Sequence, residues 1–153
     1  MPGRTPHPTR AKDGHSHGAA SITPAHVPAE QWAENGEYLW GVDLYNAGYF
    51  WEAHEAWEGL WRAAAGRDAP QRGLLQGLIL CAAACLKAAA GDMQACRRLA
   101  ARAVERLERA PVDGGGRVMG LDLERFAAEL REFAASVPVM IEHRPLLRLG
   151  SPL

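Results

Sequence analysis

The side chains best suited to chemistry lie in residues 46–61, where an Asn-Ala-Gly turn opens a helical pattern rich in tryptophan and glutamate. At about 100° per residue, His54 shares a stripe with three aromatic residues, Phe50, Trp57 and Trp61. We therefore expect the imidazole to lie within the apolar face of this helix. A buried imidazole needs a hydrogen-bonding partner, and Glu58, one turn further along, is placed to provide it.

A second polar pair lies in the apolar segment 71–90. Gln76 and Lys87 are eleven residues apart, so they fall within about 20° of each other around a helix, and Cys81 and Cys85 fall on the opposite side. We expect these two helices to pack together. The sequence then predicts a polar cluster between them that contains His54, Glu58, Gln76 and Lys87.

Three roles for this cluster remain open. In the first, Glu58 accepts a hydrogen bond from His54 and the cluster only fixes how the two helices dock. In the second, a metal-dependent hydrolase-like enzyme binds a divalent metal such as Zn, Mn or Fe through His54, Glu55 and Glu58. This spacing is neither the His-Glu-x-x-His of zinc proteases nor the Glu-x-x-His of di-iron bundles. A further ligand would have to come from Gln76 or His143.

The third role is binding. The helices would present a groove to a protein or a small-molecule ligand, with Tyr49 and Trp51 as exposed anchors. In that case Lys87 would orient a carboxylate or an amide of the ligand. We favour a binding or scaffold module over the enzyme.

The elements that must position these residues are all helical in pattern. Helices are predicted over residues 28–45, 49–64, 71–90, 93–110 and 123–136. We expect an all-α fold, a compact bundle of about five helices built from two helical hairpins that resemble tetratricopeptide hairpins, plus a C-terminal helix. The apolar segment 139–149 should pack back on the bundle.

Domain organisation follows from composition. Residues 1–27 are rich in Pro, Gly and His and offer little to bury, so we expect a disordered tail without a signal peptide. Residues 28–153 should form a single helical domain, because 153 residues with 48% hydrophobic content suit one ordinary core.

Charge and cysteine content narrow the partners and the compartment. The formal net charge is −1, and glutamates interleave with the arginines of segment 93–110, so we expect neither a nucleic acid nor a membrane as a partner. The three cysteines lack metal-binding or disulfide spacing, which is typical of a cytoplasmic protein.

The central motifs resemble a known family. They are Asn46-x-Gly48-x-Phe50-x-Glu52-Ala-His54-Glu55-x-x-Glu58-x-x-Trp61, followed by Leu75-Gln76-Gly77-Leu78-Ile79 and then Gly91-x-x-x-Ala95. Over about residues 34 to 134 the chain closely resembles the uncharacterised prokaryotic family named domain of unknown function 309. The resemblance implies a small helical domain without an established activity. It also implies a set of signature positions: Glu52, His54, Glu55, Glu58, Trp61, Gln76 and Lys87. Trp51 and Trp57 depart from the pattern, since smaller or aliphatic residues are expected there.

Overall fold

The computed structural model describes residues 24–64, 66 and 68–151. Within this part of the chain, five α-helices follow one another: α1 (Gly36–Asn46), α2 (Phe50–Ala63), α3 (Ala69–Ala89), α4 (Met93–Arg109) and α5 (Leu123–Ala135). Short 3₁₀ helices cover Ala29–Glu34 and Ile141–His143, and a small antiparallel hairpin pairs β1 (Arg117–Val118) with β2 (Leu121–Asp122). The prediction of an all-α bundle is confirmed.

Helices that are consecutive in the chain are also neighbours in space. α1 packs on α2, α2 on α3, α3 on α4, and α4 on α5. The two hairpins α1–α2 and α3–α4 therefore stack through the contact between α2 and α3, and α5 closes the bundle on α4. One continuous core joins all five helices with the small hairpin and the chain after α5, so the helices bury their apolar faces against one another and against these shorter segments.

Most helix boundaries follow local capping chemistry, in which a side-chain oxygen accepts an otherwise unpaired N–H of the first turn. Four of the described helices begin this way, with the caps Asn35, Asp68, Asp92 and Asp122. The predicted helix over residues 28–45 is wrong in one respect, because the chain breaks at Asn35 into a 3₁₀ helix and α1. The Oδ1 atom of Asn35 accepts the backbone N–H of Tyr38, which restarts the helix at this point.

Two close approaches set the distances between the helices. At Gly41 of α1, an added Cβ atom would lie 2.3 Å from Nε1 of Trp57 in α2. At Gly77 of α3, such an atom would lie 2.5 Å from Cδ2 of Leu107 in α4. Both partner side chains are buried. Glycine is therefore required at both positions for the neighbouring helix to come this near.

α3 is the central helix of the bundle. Among the described residues it is the one helix long and apolar enough to cross a membrane by length and composition, and half of its most apolar window is buried by the rest of the protein. Core helices of bundles share these properties. Its contacts with both α2 and α4 match that position.

The chain after α5 returns to the bundle, as the sequence predicts. Val139 and Leu147 are buried in the core, and Leu149 forms an antiparallel bridge with Leu121 beside the small hairpin. Apolar side chains thus hold this segment down along its length.

The predicted tail, residues 1–27, lies mostly outside the described residues. Its end contacts the bundle: the carbonyl of Val27 accepts a hydrogen bond from Nε2 of Gln71 at 2.8 Å. His26 Nε2 lies 3.8 Å from the Asp68 carboxylate. The domain contacts in this structure therefore begin before residue 28.

Candidate functional site

α2 carries five of the predicted site residues, and four of them lie on its outer side. Gly48, at φ 92°, turns the chain out of α1, and α2 then buries its inner side, with Ala53, Trp57 and Leu60 at the centre. The opposite side bears Trp51, Glu52, His54, Glu55 and Glu58, which we call the outer α2 face. Every one of these five side chains has solvent access.

The stripe predicted that His54 would lie within the apolar face, and this is wrong, because the imidazole lies at the edge of that face. Its side chain is 23% exposed. The buried side of α2 is centred on Ala53 and Trp57, because α1 packs against that side at Gly41. The imidazole stacks on the Trp51 indole, with ring centroids 5.8 Å apart and an interplanar angle of 2°.

The predicted partner of His54 is present but distant. Nδ1 of His54 lies 3.5 Å from Oε2 of Glu58, and this buried nitrogen makes no hydrogen bond with any described residue. The other oxygen of Glu58 forms an ion pair with Arg62, one turn further along. The i to i+4 spacing of Glu58 and Arg62 could have revealed this pair from the sequence.

Trp61 has a structural role at the far end of α2. The Arg72 guanidinium lies 4.4 Å from the centroid of its indole. Nη1 of Arg72 also donates a hydrogen bond to the Trp61 carbonyl at 3.2 Å. Both contacts join the end of α2 to the start of α3, and no local signal in the sequence indicates this pairing.

Gln76 and Lys87 do not complete a cluster with His54. Gln76 is half-buried and Lys87 is exposed on α3, and neither side chain makes a hydrogen bond or an ion pair with another described residue. Eleven residues of helix span about 16 Å along the axis, which is too far for both side chains to reach one imidazole. The structure therefore brings together His54 and Glu58 from the predicted set.

The described residues contain no group of three or more His, Cys, Asp or Glu side chains that could hold a metal ion. Glu55 follows His54 directly, so it projects about 100° away from it around the helix. His143, the alternative further ligand, lines a cavity beside α5. The metal-dependent hydrolase gains no support from this arrangement.

The His54 geometry predicts a small stability effect. We expect His54→Ala to lower the free energy of unfolding by about 1 kcal/mol, because the substitution removes packing against Trp51 but no hydrogen bond. His54→Gln should cost less, since it keeps part of the bulk. Urea unfolding measures both variants, and a loss above about 3 kcal/mol for the alanine variant would show that the imidazole is a core residue after all.

Sequence reasoning missed a second polar centre, where the C-terminal segment meets the end of α1. The Tyr45 hydroxyl donates to the Pro145 carbonyl at 2.7 Å and lies 3.6 Å from the Cys81 sulfur. Burial raises the pKa of Tyr45 well above its ordinary value, so the hydroxyl keeps the proton that it donates. Tyr45 and Pro145 are 100 residues apart in the chain, and no local pattern encodes their contact.

A cleft adjoins this second centre. It has a volume of about 350 Å³ and lies between α5 and the C-terminal segment, with Glu132, Phe133, His143, Arg144 and Leu146 among its walls. Its carboxylates lie on α5 and its arginines on the C-terminal segment, with Nη1 of Arg148 3.6 Å from Oε1 of Glu129. None of these lining residues belongs to the outer α2 face.

Part of the chain matches a known protein family. Residues 38–99 match the model of the family described as domain of unknown function (DUF309). No curated protein matches the chain. The matched range is narrower than the predicted 34 to 134, but it contains every signature position from Glu52 to Lys87. The resemblance drawn from the sequence is therefore confirmed over residues 38–99, which match the DUF309 family model.

Proposed function

We propose that this protein is a small helical binding module that docks a protein partner on the outer α2 face. The observation that carries the proposal is Trp51, whose large apolar side chain is 55% exposed and lies flat against the His54 ring. An indole held in one orientation loses little conformational entropy when a partner covers it. Tryptophan is one of the residues in which the hot spots of protein interfaces are enriched.

The charge around Trp51 favours a basic partner. Three glutamates, Glu52, Glu55 and Glu58, share the face with it, and Arg62 pairs with Glu58. A lysine or arginine of the partner could lie over the indole and approach a carboxylate at the same time. Such an interface should associate faster at low ionic strength.

A protein partner fits this face better than a small molecule does. Small-molecule sites are concave and cover most of their ligand. The cleft of about 350 Å³ lies elsewhere, beside α5, whereas the outer α2 face is one side of a single helix. A partner that brings its own concave or flat surface is the better complement.

We also propose that the protein acts in the cytoplasm. The three cysteines are all buried and unpaired, which suits a reducing compartment. Fractionation of the source cells, followed by detection of the native protein, tests this assignment. Recovery in a secreted or membrane fraction would contradict it.

The docking proposal predicts that Trp51→Ala reduces partner capture without unfolding the protein. Wild-type protein and Trp51→Ala serve as matched baits in an extract of the source cells, at low and at high salt. We expect a partner that wild type retains at low salt, that high salt releases, and that Trp51→Ala captures at least about tenfold less. Val112→Ala is the control, because Val112 is also exposed but lies in the loop before β1. Equal capture by wild type and Trp51→Ala would contradict the proposal.

A further inference from the structure

The C-terminal segment, residues 139–150, contacts the bundle as a bound peptide contacts its receptor. The side-chain amide of Asn46 brackets both main-chain groups of Leu147: Nδ2 donates to the carbonyl at 2.9 Å, and Oδ1 accepts the N–H at 2.8 Å. The Tyr45 hydroxyl binds the carbonyl of Pro145 two residues earlier. Recognition of alternate main-chain groups is how folded domains hold extended peptides.

The side chains of the segment alternate in the same manner. Pro145 and Leu147 are buried, whereas Leu146 and Arg148 are exposed. This period of two is that of an extended strand with one side on a surface. The segment then continues at the edge of the small hairpin, where Leu149 pairs with Leu121 and the Gly150 N–H donates to the Gly120 carbonyl at 2.7 Å.

Arg144 anchors the start of this extended run. Its Nη2 donates to the Asn46 carbonyl at 2.6 Å, and its guanidinium lies 5.0 Å from the centroid of the Phe50 ring. The receptor side is formed by Tyr45, Asn46 and Phe50, which we call the α1–α2 corner. The corner and the hairpin edge together contact residues 144–149, whose sequence has the pattern Arg-Pro-x-Leu-x-Leu.

The segment fills this groove incompletely. The cleft of about 350 Å³ opens beside Arg144, Pro145 and Leu146, between the segment and α5. A ligand that also filled this cleft would bury more surface than the chain's own segment does.

We propose that the α1–α2 corner and the hairpin edge form a peptide-docking site that the protein's own C-terminal segment occupies. The occupant that replaces it is an extended segment of another protein with the pattern Arg-Pro-x-Leu-x-Leu. Because the internal segment is tethered, it competes with an external peptide at a high effective concentration. The apparent affinity of the external peptide is therefore reduced in proportion to the fraction of molecules whose groove is free of the internal segment. This site is separate from the outer α2 face, so either proposal can fail without the other.

The test uses the full chain and a fluorescent peptide with the sequence of residues 142–151, followed by anisotropy. Arg144→Ala weakens the internal segment and leaves the groove intact, so this variant should bind the peptide at least about tenfold more tightly than wild type does. Adding Asn46→Ala should abolish the gain. A peptide with alanine in place of the residue that corresponds to Arg144 should bind at least about tenfold more weakly. Equal binding of the two peptides, or no gain in Arg144→Ala, would overturn the proposal.

A second measurement needs no variant. Saturating peptide should accelerate hydrogen exchange at the Leu147 and Gly150 amides of wild-type protein, because their acceptors are lost when the segment leaves. Unchanged exchange at both amides would overturn the proposal. Concentration-dependent dimers without peptide binding would instead assign the groove to the segment of a second copy, and would overturn it as well.

Discussion

Replacing Gly41 with alanine is expected to destabilise the protein by about 2 kcal/mol, although glycine to alanine inside a helix usually adds about 1 kcal/mol of stability. The new Cβ atom would lie 2.3 Å from Nε1 and 2.8 Å from Cδ1 of Trp57. Trp57 is fully buried, so its rigid ring has no space into which it can move. Overpacking of this kind costs about 3 kcal/mol, which outweighs the gain in helix propensity.

Gly36→Ala is the matched control for this prediction. Gly36 is the first residue of the same helix, and a Cβ atom there would meet nothing within 4 Å. This variant should therefore be neutral or stabilised by about 0.5 kcal/mol. The free energies of unfolding of the two variants are compared by urea denaturation, with the same m value for both. If Gly41→Ala is as stable as Gly36→Ala, the close packing of α1 on α2 is wrong.

The second large effect is expected at Gly77, where α3 meets α4. An added Cβ atom would lie 2.5 Å from Cδ2 and 2.7 Å from Cγ of Leu107. Because Cγ is not the far end of the side chain, Leu107 cannot avoid the contact by rotating alone. We expect Gly77→Ala to lower the free energy of unfolding by about 2 kcal/mol, as measured in urea.

A double-mutant cycle tests whether Leu107 is the cause. Leu107→Ala alone should cost about 3 kcal/mol, because it leaves a cavity in the core. In that background Gly77→Ala should stabilise the protein, since the new methyl group enters the vacated space. If Gly77→Ala remains destabilising without the Leu107 side chain, the contact is not the source of its cost.

The positions of most helices could be predicted from the sequence because the signals that define them are local. Asp92 and Asp122 cap α4 and α5 through their side-chain oxygens, and the observed limits of α2 to α5 lie close to the predicted ones. The break at Asn35 was missed although the Asn35 side chain is itself a local capping signal, and the preceding 3₁₀ helix also has a distant contact. Trp32 of that helix packs on Gly120, in the small hairpin far along the chain.

The candidate site was predicted less well, for geometric reasons. A helical wheel gives the angle of a side chain but not its height, so it aligned Gln76 with Lys87 although about 16 Å of helix separates them. The wheel also could not show which side of α2 would receive α1, and this decided that Trp57, and not His54, is buried. The α1–α2 corner depends on contacts between Asn46 and Leu147, 101 residues apart, which no periodicity reveals.

The central claim is that Trp51 serves a partner and not the fold. It is tested most directly by the affinity of the captured partner for wild type, Trp51→Phe and Trp51→Ala, with the free energy of unfolding measured on the same samples. We predict unfolding free energies within about 1 kcal/mol of one another, because the indole is more than half exposed. The partner's Kd should rise in the order wild type, phenylalanine, alanine, by at least about tenfold in total. Equal affinity across the series, or a loss of affinity that only follows a loss of stability, would contradict the claim.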